Sequence, residues 1–137
     1  MLLYYDPKLS DHFASFNCGP IHYAWPILRT IFTEVFKKSE WLVFMDFLIA
    51  SWDRPDLLIY FTSYWLMYHR GRFLKTRTLD EVHEYVHQQG YTPVRQVMKK
   101  TLYMMDSNPC PGVLNFAAQI PIPDGSYPLF TAYPKVI

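Results

Sequence analysis

From Tyr23 to Asp46 the chain reads YAWPILRTIFTEVFKKSEWLVFMD, an apolar run broken near its middle by two lysines and a serine. Apolar residues at helical spacing on either side of a polar corner fit two amphipathic helices packed against each other. Ile27, Ile31 and Val35 fall on one stripe, with Leu28, Phe32 and Phe36 beside them. Pro26 interrupts the first segment, because proline donates no backbone hydrogen bond and collides with the preceding turn. A helix over 21–36 is therefore expected to start or bend near Trp25. Ser39 is the expected cap of the next helix, 40–50, with Glu40 in its first turn. Trp41, Phe44, Met45 and Leu48 would share one face of it.

Start and stop signals divide the rest of the chain. Asp6-Pro7 is a cap followed by a first-turn proline, opening a short helix with Leu9, His12, Phe13 and Phe16 that ends at Asn17–Pro20. After Asp53-Arg54-Pro55, the segment Asp56 to His69 is apolar nearly all round and is the expected centre of the core. Its stretch Leu57 to Tyr68 is too short for a bilayer, which needs about 20 apolar residues, so no membrane span is expected. Gly71–Arg77 reads as a basic loop. Thr78 and Glu81 form a capping box for a helix running to Gln89, with Gly90 as its cap residue. Thr92-Pro93 should cap and open the last helix, with Val94, Val97, Met98, Leu102 and Met105 on one face. Prolines and glycines crowd the sequence beyond, which predicts an extended, proline-rich tail over 107–137 lying on a helical lobe of residues 1–106. All four tryptophans (Trp25, Trp41, Trp52 and Trp65) are expected in the core. The fold class is all-α.

Composition narrows the partners. Thirteen basic and twelve acidic side chains give a net charge of +1, which argues against nucleic acid. Cys18 and Cys110 lie far apart without metal-ligand spacing and no secretory leader is recognisable, so plain thiols in the cytoplasm are expected. Cys18 and His22 could be taken for a nucleophile and base, but no third group accompanies them. Asp46 and Asp53-Arg54 lack the glycine-rich loop and lysine of phosphoryl chemistry, and are expected to be structural.

His83-Glu84-Tyr85-Val86-His87 matches HExxH on a predicted helix, the setting in which two histidines bind zinc and the glutamate activates water. The third ligand is missing. The longer form of the pattern needs histidine where Pro93 stands, and neither histidine nor glutamate occurs after His87. Asp106 is the one acid on the following helix. Glu81 and Glu84 also sit in the first turns of this helix, where acids are favoured without any catalytic role. The motif is therefore expected to be helix surface, with no catalytic residue, metal or cofactor assigned. The remaining candidate is a positive cluster, His69, Arg70, Arg72, Lys75 and Arg77, suited to an acidic partner or to lipid headgroups.

Several of these segments resemble one family. Asp6-Pro7 with Leu9, His12 and Phe13 is similar to a DPxLxxHL element, and Tyr23–Asp46 resembles YAWPLLxTLFSEVxxxxEWLxLFD. Both belong to the TBC domain, the helical module of Rab GTPase-activating proteins. Tyr127–Phe130 and Tyr133–Ile137 are similar to a segment that succeeds this domain in a WD-repeat-bearing branch found at centrosomes and centriolar satellites. The resemblance implies a two-lobed helical array, of which this chain supplies mostly the C-terminal lobe. Active members insert an arginine from IxxDxxR and a glutamine from YxQ to stabilise the hydrolytic transition state. Neither motif occurs in this chain: Ile49 to Arg54 lacks the spacing, and Tyr85 to Gln88 is one residue too long. The role implied by the resemblance is a non-catalytic interaction or scaffolding lobe in Rab-related membrane traffic or in centrosome and cilium organisation. Its implied partners are a protein or the remaining TBC lobe covering an exposed apolar face, and a small GTPase. Alternatives are a piece of an active activating protein with its fingers upstream, an HExxH protease, or a structural protein of a large assembly.

Overall fold

The computed structural model describes residues 1–51 and 53–113. Among these there are nine helices and no strand, so the fold is all-α as expected. They are α1 (Leu2–Tyr5), α2 (Pro7–Ala14), α3 (Pro20–Tyr23), α4 (Trp25–Arg29), α5 (Lys38–Ala50), α6 (Leu57–Tyr68), α7 (Arg70–Phe73), α8 (Leu79–His87) and α9 (Val94–Ser107). Trp52 and most of the proline-rich tail lie outside the described residues.

Helix α6 is the axis of the array. Leu57, Tyr60, Phe61, Trp65 and Leu66 are buried, and so are the hydroxyl residues Thr62 and Ser63. A buried hydroxyl needs a partner, and Thr62 Oγ1 donates back to the carbonyl of Leu58 at 2.8 Å. The most extensive packing of α6 is against α9, where Val94, Val97, Met98 and Met105 of the expected apolar face are buried and Leu102 is half-buried. Helix α5 packs on α9, while α3 and α4 pack on α8 and complete the other side.

The expected helix over 21–36 is not continuous. It splits at Ala24 into α3 and α4, close to the bend that Pro26 predicts, and ends at Arg29. The reason for that end is not visible in the spacing. Phe32 N–H donates to the Ile27 carbonyl at 2.9 Å and Ile31 N–H to the Leu28 carbonyl at 3.1 Å, the bond pair of a Schellman motif. Ile31 and Phe32 take left-handed φ values of 48° and 62°. Ile31 leaves the stripe for the surface, while Phe32 and Ile27 close on each other, both fully buried. Helix α2 ends the same way, with Asn17 at φ 58° and bonds from Cys18 to Phe13 (2.9 Å) and Asn17 to Ala14 (3.1 Å). Asparagine tolerates this conformation, whereas a β-branched isoleucine does so only under strain.

That turn aims Phe32 into the aromatic centre. Its ring lies 4.9 Å from Phe36, 5.1 Å from Phe44, 5.2 Å from Phe61 and 5.8 Å from Trp65. Trp41 at the start of α5 donates its indole N–H to the Ile31 carbonyl at 2.8 Å, fastening the turn from outside.

Other cap expectations change. Asp6 caps α2 as predicted, accepting from Leu9 N–H at 3.0 Å, and the Thr78–Glu81 capping box is present. Helix α5, however, begins at Lys38 with Lys37 as its cap residue, which places Ser39 inside the first turn. Helix α8 leaves at Gln88 with extended backbone. Gly90 is thus no cap; its N–H donates to the Val35 carbonyl at 3.1 Å. Thr92 does not cap α9, because its buried hydroxyl is taken by Trp65 and His69. Trp25 is exposed rather than in the core, since Tyr23 and Ile27 turn inward and leave it outside. The basic loop opens with the short helix α7.

Phe32→Ala should lower unfolding stability by about 3–5 kcal/mol, the usual cost of emptying a packed aromatic site. Ile31→Gly removes a left-handed β-branched residue and should raise unfolding stability by on the order of 1 kcal/mol. Urea unfolding followed by circular dichroism checks both directions.

Candidate functional site

The basic cluster of the sequence is built at the corner where α6 passes into α7, facing α8. Its five residues do not act together. His69 ends α6 half-buried, with its ring 4.7 Å from that of Trp65. Trp65 donates its indole N–H to the Thr92 hydroxyl at 3.3 Å, and that hydroxyl lies 3.2 Å from His69 Nε2. One proton order satisfies all three groups: Trp65 donates to Thr92, and Thr92 donates to a neutral His69. Burial, and secondarily the nearby Arg72 guanidinium, lower the His69 pKa to about 4, which keeps it neutral.

Arg70 turns the other way. Its Nε donates to Asp6 at 2.6 Å, and the second Asp6 oxygen caps α2. One largely buried carboxylate therefore ends a helix and holds α7 to the N-terminal segment. His12 Nε2 lies 2.8 Å from the Thr76 carbonyl and joins the same two regions. The Arg72 guanidinium carbon lies over the Tyr85 ring, 4.5 Å from its centroid, and the side chain reaches Gln88 Oε1 at 3.4 Å. It roofs a cavity of about 20 Å³ lined by Val35, Trp65, His69, Tyr85 and Thr92. Such a space is on the scale of a single water.

Lys75 and Arg77 stay at the surface and make no ion pair among the described residues. Lys75 and Arg72 line a cleft of about 420 Å³ opposite Glu81, Glu84 and Tyr85. The positive loop thus faces two acids of α8, an arrangement suited to a partner with mixed charge. The spacing of Tyr85, Gln88 and Thr92 does not show their part in this corner, which comes only from the approach of α8 and of the segment before α9.

The histidines of HEYVH do not line that cleft. Glu84 lines the cleft, whereas His87 Nδ1 meets the carboxylate of Glu34 on the turn after α4. His83 is exposed, with its ring 4.2 Å from that of His87. Asp106 is engaged elsewhere, accepting from Arg54 at 2.8 Å. Among the described residues no three His, Cys, Asp or Glu side chains come together to hold an ion. The Cys18–His22 pair is also committed: His22 Nδ1 accepts from Gly19 N–H at 3.1 Å, and burial pushes the Cys18 thiol up to about 11.

The exposed apolar residues gather partly on α3 and α4, where Ile21 and Trp25, one turn apart, are 64% and 54% exposed. No helix among the described residues is long and apolar enough to cross a membrane.

Known proteins share this sequence pattern. The chain is similar over its whole length to TBC1 domain family member 31. The protein of that name from Xenopus laevis is 28% identical over 140 residues, the human one 26% over 141 and the mouse one 26% over 139. Each match covers 100% of this chain and 13–14% of the relative, so the chain spans only a small part of their length. No family model matches, and no solved structure does. The relatives bear out the resemblance to a TBC domain read from Asp6–Phe13 and Tyr23–Asp46, and the all-α array is consistent with a lobe of such a domain.

The corner can be tested at two residues. Asp6→Ala removes a cap and leaves Arg70 unpaired, and should cost about 0.5–2 kcal/mol for the cap alone. Asp6→Asn keeps an acceptor for Leu9 and should cost less; urea midpoints of the two variants check the order. His69 takes up a proton more readily in the unfolded chain, at its ordinary value of 6.5, than in the fold. Its contribution is whole above about pH 6.5 and is lost as pH falls through about 4. Stability should therefore decline over that window, and His69→Gln should flatten that part of the decline.

Proposed function

We propose that this chain is a non-catalytic interaction lobe of a TBC-like protein, working as a scaffold. The observation that carries the proposal is similarity, over the whole of this chain, to a small part of TBC1 domain family member 31, in a chain without IxxDxxR or YxQ. The lobe would act in the cytoplasm, in Rab-related membrane traffic or in the organisation of the centrosome, centriolar satellites or cilium. Its partner surface has two parts. Lys75 and Arg77 offer charge beside the cleft, with Arg72 held on Tyr85. His69 and Arg70 of the same cluster support that corner from inside, through Thr92 and Asp6. Ile21 and Trp25 supply apolar area for a protein partner or for the rest of a TBC domain. A small GTPase is one candidate for the charged part.

A second reading, an active Rab GTPase-activating protein with its fingers on other sequence, draws support from the small share of the relatives that the chain spans. The two readings share a binding surface and differ in whether hydrolysis is stimulated.

Lys75→Glu combined with Arg77→Glu reverses the exposed charges without touching a described ion pair, so folding should be unchanged. In parallel affinity captures, proteins retained by the wild-type chain and lost from the double variant would support this surface. Identical sets from two equally stable proteins would count against it.

A further inference from the structure

The contact between Glu34 and His87 gives the HEYVH segment a property that its spacing alone does not. Glu34 lies on the turn that succeeds α4, and its carboxylate meets Nδ1 of His87. His83 stands one turn earlier on α8, with its ring 4.2 Å from the His87 ring. We propose that His83 and His87 form a surface site for a divalent transition-metal ion of the Zn²⁺ class, with Glu34 orienting His87.

Three features support the site. Histidines four apart on a helix present neighbouring ring nitrogens that can share one ion. A histidine that binds a metal usually gives its other ring N–H to a carboxylate, which fixes the tautomer and makes the remaining nitrogen a better donor. Glu34 supplies that partner at Nδ1, so Nε2 of His87 is the nitrogen left to bind. The site is also open to an entering ion, because His83 is exposed and the His87 and Glu34 side chains are 27% and 38% exposed. Imidazole donors favour zinc, copper and nickel over magnesium or calcium.

Glu84, the residue that would activate water in a protease, lines the cleft with Lys75. Two protein ligands leave the other positions of a tetrahedral ion to water. The ion would bridge successive turns of α8 and, through Glu34, tie that helix to the turn that carries Phe32.

Zinc chloride titrated into the full chain at pH 7.5, followed by calorimetry and by thermal unfolding, tests the site. Saturable uptake of one ion per chain, with a rise in unfolding temperature reversed by a chelator, is expected. His83→Ala and His87→Ala should each abolish it, Glu34→Gln should weaken it about 10–100-fold, and Glu84→Gln should leave it unchanged. Circular dichroism of each variant confirms that its helices are intact. Absence of saturable uptake by the folded wild-type chain overturns the site, as does uptake that survives His83→Ala or is lost in Glu84→Gln. A Glu34→Gln variant that binds like wild type overturns the role of Glu34.

Discussion

The burial of Phe32 is the contact on which the rest of the array depends. The chain turns left-handed at Ile31 and Phe32 to make it, accepting strain in a β-branched residue. In return the ring fills the space between Phe36, Phe44, Phe61 and Trp65, which come from the same turn, from α5 and from α6. A helix continued past Arg29 would have kept the apolar stripe regular. It would also have carried Val35 away from Gly90, whose N–H needs the Val35 carbonyl. Glu34 would likewise leave His87. Local regularity is given up for a core that joins this turn to α5 and α6.

Much of this is legible in the sequence, and the features that are not share a cause. Asp6-Pro7 and Thr78–Glu81 announce two helix starts because capping is local chemistry, written within four residues. The apolar period of α9 and the all-round apolarity of α6 indicate their burial directly. Sequence and structure part where a residue serves a distant partner. Thr92 looks like a cap, yet it bonds across to Trp65 and His69. Gly90 looks like a helix stop, yet its N–H serves Val35. Arg70 reads as one more charge of a loop, yet it is the mate of Asp6 across sixty-four positions of chain. Tertiary contacts of this kind leave no mark on spacing.

The candidate surface reflects the same split between local and distant roles. Of the five residues that look like a single basic cluster, His69 and Arg70 support the corner from inside, and Arg72 is held on Tyr85. Lys75 and Arg77 remain outward beside the acids of α8. A corner held by a neutral histidine, a shared carboxylate and a guanidinium lying over an aromatic ring is well suited to present those charges without rearrangement. Such a corner fits the proposed recognition surface.

A lobe with the proposed non-catalytic role binds without accelerating GTP hydrolysis. Single-turnover hydrolysis by GTP-loaded Rab proteins, with and without an excess of this chain, addresses it most directly. Rates equal to the intrinsic ones across the panel are predicted, because neither finger motif is present to stabilise the transition state. An acceleration of about 10³-fold or more, of the size an inserted arginine provides, would overturn the non-catalytic role.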